Sequence, residues 1–489
     1  MISQSRHFAL PSGKSRQLAI CAGSFLLFLI LVGLTLKGDP LLWFFAAIVG
    51  VMGAFVIVHK PHFGVLIILI FWLLQRSPLF SVLRQLSLQY VVGLILLIPL
   101  ALSVFRDRKI WVVEVPQVRL FLAIGALFLV STWWSNLMYP DTLLPELDET
   151  LAWMRAFVVM FGFLVFFLYF IDTQRKIELA VWFAIALIAV SALSAMLPFL
   201  KGEDVSRVRS DFGIAENSNR LAFMCLFASS LLWFYYNHGQ GLVKKGLVLP
   251  AFLFFIVTAL ASGSRSGFLQ MLILMGIILR EQKSWSITKR IQGMFLVGSL
   301  VVLLLALAPA AQLTRMTSYS SAAAARSTGG KSMRDRLRTI YSAVELAASN
   351  PVLGIGLGNF IWMHKAYYGI ENATHNSYLW MLTEGGIGVL VLYLLLFRTT
   401  YRMLRQLEAR GPPDLLWLSK GLRVNLILFM VFTAFANFWI SIFVYLIVGL
   451  TVCITRVRPQ WNRGVGIVPR PVAVGSDGPV GRLLGSPQI

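Results

Sequence analysis

Apolar blocks about twenty residues long, the length that spans a bilayer as a helix, recur along nearly the whole chain. Short polar or basic stretches part them. The blocks predict spans near 18–36, 41–58, 63–74, 91–105, 118–134, 151–171, 177–199, 218–236, 246–261, 266–280, 291–309, 376–397, 424–437 and 440–455. Several of these are short, so the expected count is about 12–14. No internal repeat is visible. The fold class is all-α: a polytopic transmembrane helical bundle with a large, partly helical loop before a late span. The first run, Leu18 to Leu36, lacks a small-residue cleavage site and reads as a span rather than a signal peptide.

Basic clusters orient the spans. Arg6–Lys14–Arg16, His59–Lys60, Arg106–Arg108–Lys109, Arg175–Lys176, Lys244–Lys245, Lys283–Lys289–Arg290, Arg398 to Arg423 and Arg456–Arg458 all fall on one side if every span is real. Cytoplasmic loops carry such clusters, so both termini are expected in the cytoplasm. The expected divisions are a cytoplasmic N-terminal tail (1–17), a transmembrane bundle with short loops (18–309), a large external loop (310–375), C-terminal transmembrane helices (376–455) and a tail (456–489). The tail is basic, rich in Gly and Pro, and without apolar period, so it is expected to be disordered and cytoplasmic.

Composition agrees with this pattern. The 489 residues are 58% hydrophobic and 13% charged, against roughly a quarter charged in soluble domains. Mean hydropathy is +0.77. The net charge of +22 sits mostly in loops and tails, which favours topology and anionic partners, including membrane lipids, over nucleic acid. No nucleic-acid-binding motif is visible. Cys21, Cys225 and Cys453 lie in apolar runs and read as small buried hydrophobes.

The side opposite the basic clusters holds five loops, and these narrow the chemistry. Loop 75–90 carries Arg76 and Arg84, loop 135–150 is acidic, loop 200–217 carries Lys201, Arg207 and Arg209, and SGSRSG at 262–267 is a tight turn. The fifth loop, 310–375, is the longest and is basic, with Arg315, Arg326, Lys331, Arg334, Arg336, Arg338 and Lys365. Long loops escape the positive-inside rule. Within it a helix is predicted from Ser332, with Asp335 completing a capping box. Met333, Leu337, Ile340, Tyr341, Val344 and Ala348 form its apolar face, and Asn350–Pro351 ends it.

Several residues stand out. Arginine forks suit phosphate oxygens, and a lipid diphosphate would fit arginines arriving from separate loops. Arg265, pressed between two apolar runs, is either a snorkelling interface arginine or lines a polar cavity. Arg207 and Arg209 are either solvated loop charges or part of the same surface. His375 reads as an interfacial histidine, a zinc ligand with His364, or a general base. Glu384 lies half a turn out of phase with His375. It is expected to pair with a polar group on another span or to bend the helix with Gly385 and Gly386. GIGLGNF at 354–360 resembles a phosphate loop but follows no strand, so its glycines are read as a turn. Glu146 and Asp148 either hold a divalent metal or form a solvated acidic loop.

NPVLGIGLGNF and HNSYLWMLTEGG resemble the signature of the O-antigen ligase and O-antigen polymerase superfamily of bacterial polytopic membrane glycosyltransferases. SGSRSGFL resembles its second arginine motif, RVRSDFGIAENSNRLAF its earlier one, and SMRDRLRTIYSAVELAASNP its loop helix. The likeness covers roughly 205–397. It implies transfer of a glycan from a polyprenyl (undecaprenyl) diphosphate donor to an acceptor hydroxyl, in a glycan or a lipid A-core. The reaction would invert the anomeric centre, without metal or cofactor, in an active site facing the periplasm from the bacterial inner membrane. Arg209, with Arg207 nearby, Arg265 and Arg336 would bind the diphosphate. His375 would be catalytic, and Asn376, Asn217 and Asn219 would support. Ligase, polymerase and protein glycosylation remain open, as do two other classes: an anionic glycolipid flippase and a metal-dependent glycosyltransferase using Glu146 and Asp148. The family spaces its glycines as GxxG, whereas Glu384 here is followed by Gly385, Gly386, Ile387 and Gly388. The helix after His375 is therefore expected to bend at a different point.

Overall fold

A computed structural model describes residues 40–74, 88–107, 111–139, 147–201, 215, 217–239, 242–281, 287–288, 291, 298, 328–369 and 371–457. Among these there is no strand. Fourteen α-helices follow in order: α1 (Pro40–His59), α2 (Pro61–Leu74), α3 (Leu88–Asp107), α4 (Pro116–Met138), α5 (Leu147–Phe170), α6 (Gln174–Leu200), α7 (Ser218–His238), α8 (Leu242–Ala261), α9 (Arg265–Glu281), α10 (Thr328–Ser349), α11 (Asn359–Tyr368), α12 (Ser377–Arg410), α13 (Leu416–Thr433) and α14 (Ile442–Arg456). Among the described residues, five apolar helices are long enough to cross a membrane: α4, α5, α6, α12 and the Pro413–Thr433 stretch containing α13. Segments of α1, α2, α3, α8 and α14 are apolar but shorter. The protein is an all-α polytopic bundle. The expected spans at 18–36 and 291–309 and the tail after 457 fall largely or wholly outside the described residues.

The centre of the bundle is aromatic. α7 packs on α8 and α13, and α12 packs on α4 and α13. Phe223 of α7 stacks on Phe432 of α13 at 4.8 Å and meets Phe443 of α14 edge-on at 5.1 Å. Polar groups that cross this core are paired. The Ser230 hydroxyl donates to Asn425 Oδ1 at 2.5 Å, joining α7 to α13. Such bonds hold helices together where lipid supplies no hydrophobic drive.

One end of the bundle is tied by charge. Buried Arg423 donates to Glu281 of α9 at 2.6 Å and to Glu408 of α12. Lys420 lies 3.4 Å from the same Glu281. A guanidinium this buried needs both carboxylates, because an unpaired buried charge costs several kcal/mol. Arg456 sits 3.5 Å above the Trp111 ring and donates to the Leu168 carbonyl at 2.8 Å at this same end.

The opposite end holds α10, α11 and the turns around them. The loop helix starts at Thr328, a turn before the expected Ser332, and runs to Ser349. Ser332 and Asp335 therefore lie inside the helix and not at its start. α12 is not straight. Gly386 has φ +73° and breaks it, nine residues beyond the start at Ser377.

Candidate active site

The candidate site is built from helix starts at that end. α7 begins at Ser218, and the Asn217 side chain caps it by accepting from Asn219 N at 2.9 Å. Asn219 Oδ1 in turn accepts from the Ser264 hydroxyl at 2.7 Å. Ser264 also accepts from Gly267 N at 3.0 Å and so caps α9, whose first residue is Arg265. A Cβ at Gly267 would lie 2.5 Å from Ala222 Cβ, so α7 and α9 touch closely here. This contact brings residues 217–220 and the SGSRSG turn side by side.

α12 supplies the histidine. Asn376 Oδ1 accepts from Tyr378 N at 2.9 Å and Leu379 N at 3.1 Å, a side-chain cap. Ser377 pins the same point to the turn between α13 and α14. It donates to the Ala436 carbonyl at 2.8 Å and accepts from Phe438 N at 2.9 Å. His375 precedes this cap with φ +51°, the one positive φ at a non-glycine among the described residues. Histidine tolerates the left-handed region better than most side chains, yet such a conformation holds strain of about 1–3 kcal/mol. The cap on one side and buried Thr374 on the other, whose hydroxyl donates to the Asn376 carbonyl at 2.9 Å, hold it there.

Electrostatics connects these pieces. His375 keeps an open, solvent-exposed side. The surrounding protein nevertheless lowers its pKa, first by burial, then through the positive charges of Arg336 and Arg220. Arg336 of α10 is pushed down by burial and by Arg265. It remains a cation, since guanidinium titrates far above neutrality. Its Nε is buried without a hydrogen-bond partner. Arg220, in the first turn of α7, lies 4.9 Å above the Phe438 ring. His375 at the α12 start thus feels Arg220 of α7 and Arg336 of α10, and Arg336 in turn feels Arg265 of α9.

Arg265, Arg336 and His375 are brought together, and the three asparagines act at helix caps or between them. Arg207 and Arg209 lie outside the described residues, as do acidic positions 141–146. Arg220 was missed. It stands inside the RVRSDFGIAENSNRLAF stretch, but at the start of an apolar run it reads as a flanking charge. Its signal was the Asn217 cap, which turns it onto the first helical turn. His364 is fully buried, and burial against Phe360 (5.3 Å) lowers its pKa more than the Asn372 backbone raises it. Among the described residues no three His, Cys, Asp or Glu side chains gather as a metal site would require.

Residues 250–394, which carry Arg265, Arg336, His375 and the α12 break, match the O-antigen ligase family. Over this stretch the chain is similar to the O-antigen ligase/polymerase superfamily. No match to a curated protein is found. The match supports a function of O-antigen ligase/polymerase type in polysaccharide biosynthesis, and with the apolar helices it indicates a multi-pass membrane protein. Arg220 lies outside the matched stretch.

Proposed function

We propose that this O-antigen ligase/polymerase homologue transfers a glycan from a polyprenyl diphosphate, undecaprenyl being the expected lipid, to an acceptor hydroxyl at the periplasmic face of the inner membrane. The observation that carries the reading is the placing of Arg220 and Arg336 beside His375, with Arg265 beside Arg336, from separate elements, in a chain whose residues 250–394 match the O-antigen ligase family. Arg336 and Arg265 repel each other, and a bound diphosphate would relieve that repulsion.

The acceptor oxygen attacks the anomeric carbon as its proton passes to the His375 imidazole. The bond from that carbon to the diphosphate oxygen breaks, and the electron pair leaves with the polyprenyl diphosphate. The arginines meet the charge that grows on the leaving group, where preorganised cations lower the barrier most. Attack opposite the leaving group inverts the anomeric centre. Arg209 and Arg207 would extend the cation set, and no metal enters the scheme. The acceptor is a growing glycan in a polymerase or a lipid A-core in a ligase.

The test is product analysis. Purified protein is incubated with a polyprenyl-diphosphate glycan and either glycan or lipid A-core acceptors. A new glycosidic bond of inverted configuration, insensitive to chelator, is expected. Movement of the intact donor across a vesicle bilayer with no bond formed would sink the reading in favour of a flippase. Chelator-sensitive transfer restored by Mn²⁺ would sink its metal-free form.

A further inference from the structure

The chain between α10 and α11 is inserted into the break in α12. The Pro351 carbonyl accepts from Ile387 N at 2.9 Å, Ile355 N donates to the Thr383 carbonyl at 2.9 Å, and Gly356 N donates to the Glu384 carbonyl at 3.0 Å. Glu384 is fully buried. Its carboxylate accepts from Gly358 N at 2.9 Å and Phe360 N at 3.1 Å, amides at the start of α11. The Thr383 hydroxyl reaches the Ala343 carbonyl of α10 at 3.1 Å. Ser131 of α4 donates to the Glu384 carbonyl at 2.5 Å and accepts from Gly356 N at 3.1 Å.

Two glycines make the insertion possible. Gly386 at φ +73° would drive a Cβ into the Val352 carbonyl, and Gly354 at φ +71° would drive one to 2.5 Å from the Glu384 backbone. A buried carboxylate is costly unless fully hydrogen-bonded. Here free amides at a helix start satisfy it, where the helix dipole also favours negative charge. The transfer step uses no second carboxylate, and both Glu384 carboxylate oxygens are taken up by the amides of Gly358 and Phe360. The junction does something else. It fastens α10, which carries Arg336, to the first segment of α12, which starts two residues after His375.

We propose that Glu384 is a positioning residue: its carboxylate locks the α10–α11 turn into the α12 break and so sets the placement of Arg336 relative to His375. The positional claim stands on the geometry alone, while its effect on turnover rests on the glycan-transfer reading above. Glu384→Gln keeps the volume but can no longer offer both amides an oxygen. The kinetic readout expected is a kcat loss of about 10²-fold, the scale of a 1 Å misplacement. The donor KM should move less than about threefold, since the phosphate-binding arginines remain.

The deciding measurement does not need activity. Val344→Cys and Glu371→Cys place one spin label on exposed α10 and one on the exposed segment just before His375. Electron–electron resonance in nanodiscs should give a narrow distance distribution with Glu384 and a broad or shifted one with Glu384→Gln. Ser131→Ala, the milder cut at the same junction, should broaden it less. An unchanged distribution in a folded Glu384→Gln protein overturns the proposal, as does an unchanged kcat in an enzyme that transfers glycan. If Glu384→Gln does not fold, the Ser131→Ala distribution decides in the same way. If the labels broaden as expected but the unsubstituted protein transfers no glycan, positioning stands and the glycan-transfer reading falls.

Discussion

His375 occupies the most constrained position of the site: left-handed backbone, an Asn376 cap behind it, and burial with two guanidiniums lowering its pKa. A base needs its free form at working pH, and Arg336 and Arg220 favour that form. The acid limb of kcat/KM should therefore fall below the usual histidine range of about 6.5, with a plateau at neutrality. Removing one positive neighbour raises the imidazole pKa, so Arg220→Gln should move the limb to higher pH; a pH profile of purified protein checks this. His375→Ala should cost transfer by about 10²–10⁴-fold, the span of general-base catalysis, while membrane insertion is unchanged. His375, Arg265 and Arg336 were legible because polar groups stand out at the edges of apolar runs. Arg220 was not, because its position beside His375 depends on how α7 meets the α13–α14 turn.

At the scale of elements, the loop helix, its amphipathic period and its end before Asn350–Pro351 were readable, and its start was off by one turn. The α12 break was half readable. Gly385 and Gly386 marked a bend, but nothing local indicated that residues 350–358 would fill it. GIGLGNF read as a turn, and it is one, with Gly354, Gly356 and Gly358 all at positive φ. Glu384 was expected to meet a polar group on another span or to bend the helix; its carboxylate meets the amides of the turn before α11. Gly386→Ala should destabilise the protein by about 1–3 kcal/mol from backbone strain alone, and by more from the clash with Val352. Thermal unfolding in detergent, compared with Gly53→Ala, where a Cβ meets nothing within 4 Å, checks the difference.

Across the whole molecule the two ends divide the labour. The end with Arg423, Glu281 and Glu408 ties α9, α12 and α13, and the other end gathers the site. Arg423→Leu should cost about 1–3 kcal/mol by removing the shared partner of two half-buried carboxylates, read as a lower melting temperature. In protein that remains folded, the pH profile of His375 should not change. The orientation has its own test. An impermeant maleimide applied to intact spheroplasts should label Arg338→Cys on exposed α10. Arg405→Cys, on the far end of α12 and 60% exposed, should be labelled only after permeabilisation.

The sequence by itself determined the all-α membrane bundle, because apolar blocks of membrane-crossing length admit little else, and it marked the arginines and histidine that polarity sets apart. Only the tertiary structure decided which of them meet. Hydropathy is a property of each segment alone. The approach of α7 to α9, and the wedging of the α10–α11 turn into α12, depend on glycines and caps that acquire their role only when another helix lies against them.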